Sequence, residues 1–198
     1  MWYFSWILGV LLACSLGIIN VLRLEAQEAL AKEHEALDPL TRFLARESVL
    51  PRLREKVDNS KRNSLPFSII YLSIRDFRTK YNLPEHEVDT TLMKAANIIN
   101  DYIRPGVDLA ARLNDDDFLV ILPGSTDAKS EALGRKIQKK LAQDVKTPSN
   151  LPLEITMGAA EYSAHKEAFS EDMLIGMEEV EALLNIAIAK SMDNSVSS

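Results

Sequence analysis

Trp2 to Leu22 (WYFSWILGVLLACSLGIINVL) is apolar or small almost throughout, and no Asp, Glu, Lys or Arg occurs before Arg23. About 21 residues at ~1.5 Å each make a helix of roughly 32 Å, the depth of a bilayer core. The pattern predicts a single transmembrane helix over residues 1–24. Trp2, Tyr3 and Trp6 cluster at one end, where amphipathic rings favour the membrane interface. Gly9, Ala13 and Gly17 recur every fourth position and share a helix face that lets another helix approach closely. With Trp2 and Trp6 they make the expected face toward a membrane partner. A cleaved signal peptide needs a basic stretch ahead of its apolar run, and this chain has none. Arg23 and Lys32 follow the span, so the positive-inside rule puts the N-terminus outside and the remainder in the cytoplasm, with the chain single-pass in the inner (cytoplasmic) membrane.

Residues 25–37 are rich in Ala, Glu and Leu, without Gly or Pro, and predict a solvated helical juxtamembrane stalk below a span that contacts membrane lipid. Its leucines do not sustain heptads, which leaves a homodimer open rather than predicted. Beyond Pro39 the periodicity changes repeatedly. Helices are expected over residues 48–59 (Pro51 in the first turn), 86–103, 126–142 and 171–192. Strands are expected over 68–74, 108–113, 118–122 and 153–162. Asn114-Asp115-Asp116-Asp117 joins the middle two as a tight hairpin turn, because Asn and Asp tolerate left-handed backbone. The order α-β-α-β-β-α-β-α, two βα crossovers around a hairpin, predicts an α/β (α+β) domain over residues 38–194. Its sheet should be antiparallel and ferredoxin- or palm-like, with packed helices. Residues 195–198 form a frayed tail.

Composition changes this picture in two ways. All of the formal net charge of −6 falls from Arg23 onward, so the domain is acidic and has no bulk attraction for nucleic acid, which is excluded as a partner, or for anionic lipid. The single cysteine, Cys14, rules out an internal disulfide and a Cys-rich metal centre. His34, His86 and His165 are scattered without ligand spacing, and no metal site or bound cofactor is expected of this chain alone.

The first fifteen residues, Met1-Trp2-Tyr3-Phe4 through Trp6-Ile7-Leu8-Gly9 to Leu11-Leu12-Ala13-Cys14-Ser15, resemble the CydX/YbgT family of very short single-span subunits of cytochrome bd-type quinol oxidase. The resemblance covers roughly residues 1–30. It implies a helix packed on the large oxidase subunits, helping to stabilise haem held by that partner. Members of that family end soon after the span, and this chain continues.

A second resemblance runs over residues 38–194. Asp38-Pro39-Leu40-Thr41, Phe77-Arg78, His86, Arg112-Leu113 followed by a four-residue turn and Phe118, and Ala189-Lys190 are similar, in order and spacing, to motifs of GGDEF domains, the diguanylate cyclase fold. The cyclase joins two GTP molecules by phosphoryl transfer, which needs metal-binding carboxylates and backbone close to the nucleotide. The positions that the resemblance assigns to this chemistry are altered. Ser73-Ile74-Arg75 stands for the Asp-x-Asp at the end of the first strand. Asn114-Asp115-Asp116-Asp117-Phe118 stands for Gly-Gly-Asp/Glu-Glu-Phe, without the glycines that admit a ligand to the backbone. Tyr81 and Thr90 replace the guanine-reading Asn and Asp, and Asp89 the Gly before the latter. Asp108 is in register with the inhibitory Arg-x-x-Asp motif, but Pro105 takes the Arg position, with Arg104 one residue early. Arg78 and Lys190 remain as candidate phosphate contacts.

The expectation is therefore a degenerate, non-catalytic GGDEF-like domain with a vestigial signature turn, carried by an oxidase accessory subunit. Two alternatives stay open: a membrane-tethered protein that binds guanine nucleotide or cyclic di-GMP, and an active diguanylate cyclase. Arg75 shares a strand face with Ser73 and is expected to offer its guanidinium to Asp116 or Asp117 in place of a metal.

Overall fold

The computed structural model describes residues 36–74, 84–146, 153–163 and 177–196, together with Tyr3, Ile7 and Cys14. The chain divides into two compact units, Met1–Glu35 and Ala36–Ser198. In the first unit, Tyr3, Ile7 and Cys14 are helical and exposed. Among the described residues no helix is long and apolar enough to cross a membrane. The expected span, the partner face (Trp2, Trp6, Gly9, Ala13, Gly17) and the stalk up to residue 35 lie outside the described residues apart from those three.

The second unit runs α1 (Arg46–Asn63), β1 (Phe67–Ile74), α2 (Glu85–Tyr102), β2 (Leu109–Arg112), β3 (Asp117–Pro123), α3 (Asp127–Asp144), β4 (Ile155–Tyr162) and α4 (Met177–Val196). The strands lie in the order β2-β3-β1-β4, and every neighbouring pair is antiparallel. This is the ferredoxin-like arrangement that two crossovers around a hairpin require.

The strands are buried on both faces, and their alternation sorts side chains into two apolar layers. Ile70, Leu72 and Ile74 of β1, with Phe118, Val120 and Leu122 of β3, face α2 and α3. Phe67, Ile69 and Tyr71, with Leu119 and Ile121, face α1 and α4. Each helix buries one stripe at helical spacing: Val49, Leu53 and Val57 on α1, and Val88, Leu92, Ala95, Ala96 and Ile99 on α2.

Helix α1 starts two residues before its expected onset, so Pro51 sits in the second turn rather than the first. It also runs on to Asn63, where Ser64 turns left-handed (φ 54°) and ends it. The leading segment folds against the outer edge of β2. The Leu44 amide donates to the Ala110 carbonyl, and the Arg112 amide donates to that of Leu44. That edge of the sheet is thereby paired rather than left open.

Candidate functional site

The turn between β2 and β3 closes through the Leu113 amide, which donates to the Asp117 carbonyl at 2.9 Å. Asp117 is therefore the first residue of β3 rather than the last of the turn, and it faces Ser73 of β1 across the ladder. The Ile74 amide donates to the Asp116 carbonyl, extending the pairing by one bond. Among the described residues the only non-glycine positions with positive φ are Arg42 and Ser64. Asn114, Asp115 and Asp116 thus do not supply the left-handed backbone expected of them, and their side chains and carbonyls matter instead.

Asn114 stands at the first residue of the turn and is held from both sides. One Arg46 Nη from α1 donates to its Oδ1 at 2.6 Å, and its Nδ2 donates to Asp117 Oδ2 at 2.8 Å. The amide links a cation on the first helix to a carboxylate on β3. Below it, Arg112 donates through Nε to the Asn114 carbonyl at 3.2 Å and through Nη2 to the Asp115 carbonyl at 2.9 Å. The same guanidinium reaches Asp38 Oδ1 at 3.1 Å. One planar, multi-donor group therefore ties the turn to the leading motif, a role a lysine could not fill.

Asp38 is held by its own loop as well. Oδ2 accepts from the Thr41 amide and the Thr41 hydroxyl, both at 2.7 Å. Burial works to raise the Asp38 carboxyl, but these two bonds and the Arg112 charge together outweigh it and hold the group below the usual carboxylate range.

Behind the turn, burial pushes the Tyr71 phenol well above its ordinary range. The neighbouring Asp117 charge and a hydrogen bond to that carboxylate push the same way, while one with Ser73 opposes them. Asp117 is thus bonded to Tyr71 and Asn114, beside the Ser73 hydroxyl. A cavity of about 580 Å³ opens here, lined by Asp38, Arg46, Glu47, Ser73, Arg112, the turn residues Asn114 to Asp116 and Asp117 of β3.

Residues 35–181 match the family described as diguanylate cyclase, GGDEF domain. The chain belongs to the GGDEF family. Solved GGDEF structures share the fold at low identity. The GGDEF domain of FimX from Pseudomonas aeruginosa superposes with a TM-score of 0.67 at 16% identity, covering 82% of this chain and 94% of that one. The coiled coil and GGDEF domain of DgcB from Caulobacter crescentus, solved in complex with c-di-GMP, gives 0.67 at 17% identity, covering 96% and 95%. The diguanylate cyclase SiaD of Pseudomonas aeruginosa, solved with its activator SiaC, gives 0.68 at 20%, covering 96% and 70%. Residues 1–27 match a second family, the membrane-bound YbgT-like proteins. A stretch of 29 residues is 66% identical to cytochrome bd-I ubiquinol oxidase subunit X of Escherichia coli (strain K12), covering 15% of this chain and 78% of that protein.

Within the GGDEF domain the sequence-derived site residues separate. Asn114, Asp115, Asp116, Asp117 and Phe118 lie together, the first four around the cavity and Phe118 in the core against Phe43. Lys190 lies elsewhere. It reaches from α4 to Asp127 at 3.4 Å, beyond the end of β3 that is remote from the turn. Arg104 and Asp108 form a bidentate pair, with the shortest contact 2.6 Å and Asp108 buried. Thr90 returns its hydroxyl to the His86 carbonyl of its own helix. Arg75, Arg78 and Tyr81 lie outside the described residues.

Three residues of the turn network were not singled out from the sequence: Arg46, Tyr71 and, as a turn anchor, Arg112. For Tyr71 a signal existed, since it shares a strand face with Ser73 at a spacing of two. A divalent cation would find a poor donor set in this part of the site. Ser73 offers a hydroxyl, and Asp117 is already bonded to Asn114 and Tyr71. Among the described residues no three or more His, Cys, Asp or Glu side chains are grouped so that they could hold a metal ion.

Proposed function

We propose that this chain is a non-catalytic accessory subunit of a cytochrome bd-type quinol oxidase, anchored by its N-terminal segment and carrying a cytoplasmic GGDEF domain that serves interaction or regulation. The observation that carries the proposal is the join itself. A segment matching most of a known oxidase subunit continues into a GGDEF domain whose signature turn bonds inward. The proposal takes residues 1–24 as one membrane-spanning helix with the N-terminus outside and 25–37 as its stalk.

The inactivity follows from the chemistry. Phosphoryl transfer needs carboxylates free to hold metal and backbone open to a triphosphate. Ser73 supplies no carboxylate, Asn114 fills the first glycine position with an amide bonded on both sides, and Asp115 adds negative charge. The expected outcome with purified full-length protein, GTP and Mg²⁺ is no cyclic di-GMP. Product that disappears in Asp116→Ala would instead make the chain an enzyme. Equilibrium binding of GTP or cyclic di-GMP without turnover would favour a nucleotide sensor over a plain interaction module. Affinity purification from membranes, followed by a haem spectrum of the eluate, tests the oxidase partner.

A further inference from the structure

Charge is unevenly placed on the second unit. Between Asp127 and Asp144 the chain carries Lys129, Arg135, Lys136, Lys139 and Lys140 against Asp127, Glu131 and Asp144, although the protein as a whole is acidic. Each of those acids is already paired: Glu131 with Arg135 and Asp144 with Lys140, both at 2.7 Å, and Asp127 with Lys190 at 3.4 Å. Lys129, Lys136 and Lys139 are exposed and have no ion pair among the described residues. At 3.6 residues per turn they share one face of α3. That face is opposite Ser130, Gly134, Ile137 and Leu141, which are buried on the sheet. Exposed Lys146 follows just past the helix end. Besides its partner Asp144, Lys140 also feels the charge of Asp101 on α2.

We propose that this outward lysine face of α3 is a contact surface for anionic lipid headgroups of the membrane that holds the chain. The inference rests on the anchoring proposed above. A domain tethered through residues 23–35 stays within roughly 45 Å of the bilayer even with that segment fully extended. Within that reach the domain repeatedly meets the bilayer, and within about a Debye length of it the surface charge of a cytoplasmic leaflet, worth about 1 kcal/mol per lysine, selects among the faces the domain can present. The acidic remainder of the domain is repelled by the same surface, so one face is favoured over the others. A tether raises the effective concentration, so weak contacts suffice.

The test uses the full-length chain in two kinds of vesicle, phosphatidylcholine alone and equal parts phosphatidylcholine and phosphatidylglycerol. Lysine acylation is read by mass spectrometry. Lys129, Lys136 and Lys139 are expected to react about fivefold more slowly in the anionic vesicles. Lys61, on a helix of the opposite layer, should react equally in both. High salt should erase the difference, as should Lys136→Glu combined with Lys139→Glu, read at Lys129. Equal reactivity of all lysines in chain that floats with both vesicles overturns the inference while leaving the anchor intact. Protection that is equal in the two vesicles points to a protein contact and also overturns it. Chain that floats with neither vesicle removes the anchor and the inference together.

Discussion

At the scale of single residues, the GGDEF turn is shaped by side chains that replace glycine rather than by backbone need. Asn114 sits at negative φ, so a glycine there would add freedom without relieving strain. It would also delete the bonds to Arg46 and Asp117. We expect Asn114→Gly to lower stability by about 1–2 kcal/mol in urea titrations, and to yield no cyclase activity in spite of restoring a signature residue. Asp38 gives a prediction with a pH signature. Its folded-state pKa lies below its ordinary value of 3.8. The stabilisation is therefore fully present above that value and is lost as pH falls through the lower folded one. Asp38→Asn should cost about 1–3 kcal/mol near neutrality, and the gap to wild type should close as the solution is acidified below 3.8. A gap that persists in acid would mean that the Asp38 charge is not what stabilises the loop. These contacts were hidden in the sequence because they join distant positions, 68 apart for Arg46 and Asn114 and 74 apart for Arg112 and Asp38. Periodicity reports on neighbours along one element and is silent on such pairs.

At the scale of elements, the order of helices and strands was legible because each element buries a clean stripe or alternates about the sheet. Boundaries moved where polar residues continue a helix into solvent, as at Lys61 to Asn63. Packing distances were less legible, and two glycines show why. A Cβ at Gly158 of β4 would lie 1.8 Å from the Ala187 carbonyl oxygen, so α4 rests directly on the strand backbone. A Cβ at Gly134 of α3 would meet side chains only, the Met157 Sδ at 2.8 Å and the Ile70 Cγ2 at 3.1 Å, and the flexible thioether can shift where a backbone cannot. Gly158→Ala should therefore destabilise the domain by about 3 kcal/mol through displacement of α4. Gly134→Ala should cost far less, since alanine also improves helix propensity by about 1 kcal/mol. Denaturant midpoints of the two variants measure the contrast, and equal losses would place α4 farther from β4 than described. In sequence both are merely small residues in apolar surroundings.

At the scale of the whole molecule, two family matches meet end to end, residues 1–27 and 35–181, with little chain left between them. If the first match carries the docking, oxidase association depends on a helix face and not on the GGDEF domain. Gly9 and Gly17 are the positions where added bulk is least tolerable on such a face, because small residues let helix backbones approach in a medium that offers no hydrophobic driving force between them. Leucine at both keeps the segment apolar and of unchanged length, so insertion into the bilayer is preserved while close packing is not. The expected outcome is that Gly9→Leu with Gly17→Leu still fractionates with membranes but recovers less haem-bearing oxidase on affinity purification. Turn variants such as Asn114→Gly should recover as much as wild type. An undiminished haem spectrum in the double variant would shift the docking surface away from this face. A loss of haem in the turn variant, with the N-terminal segment untouched, would instead give the GGDEF domain a direct hold on the oxidase.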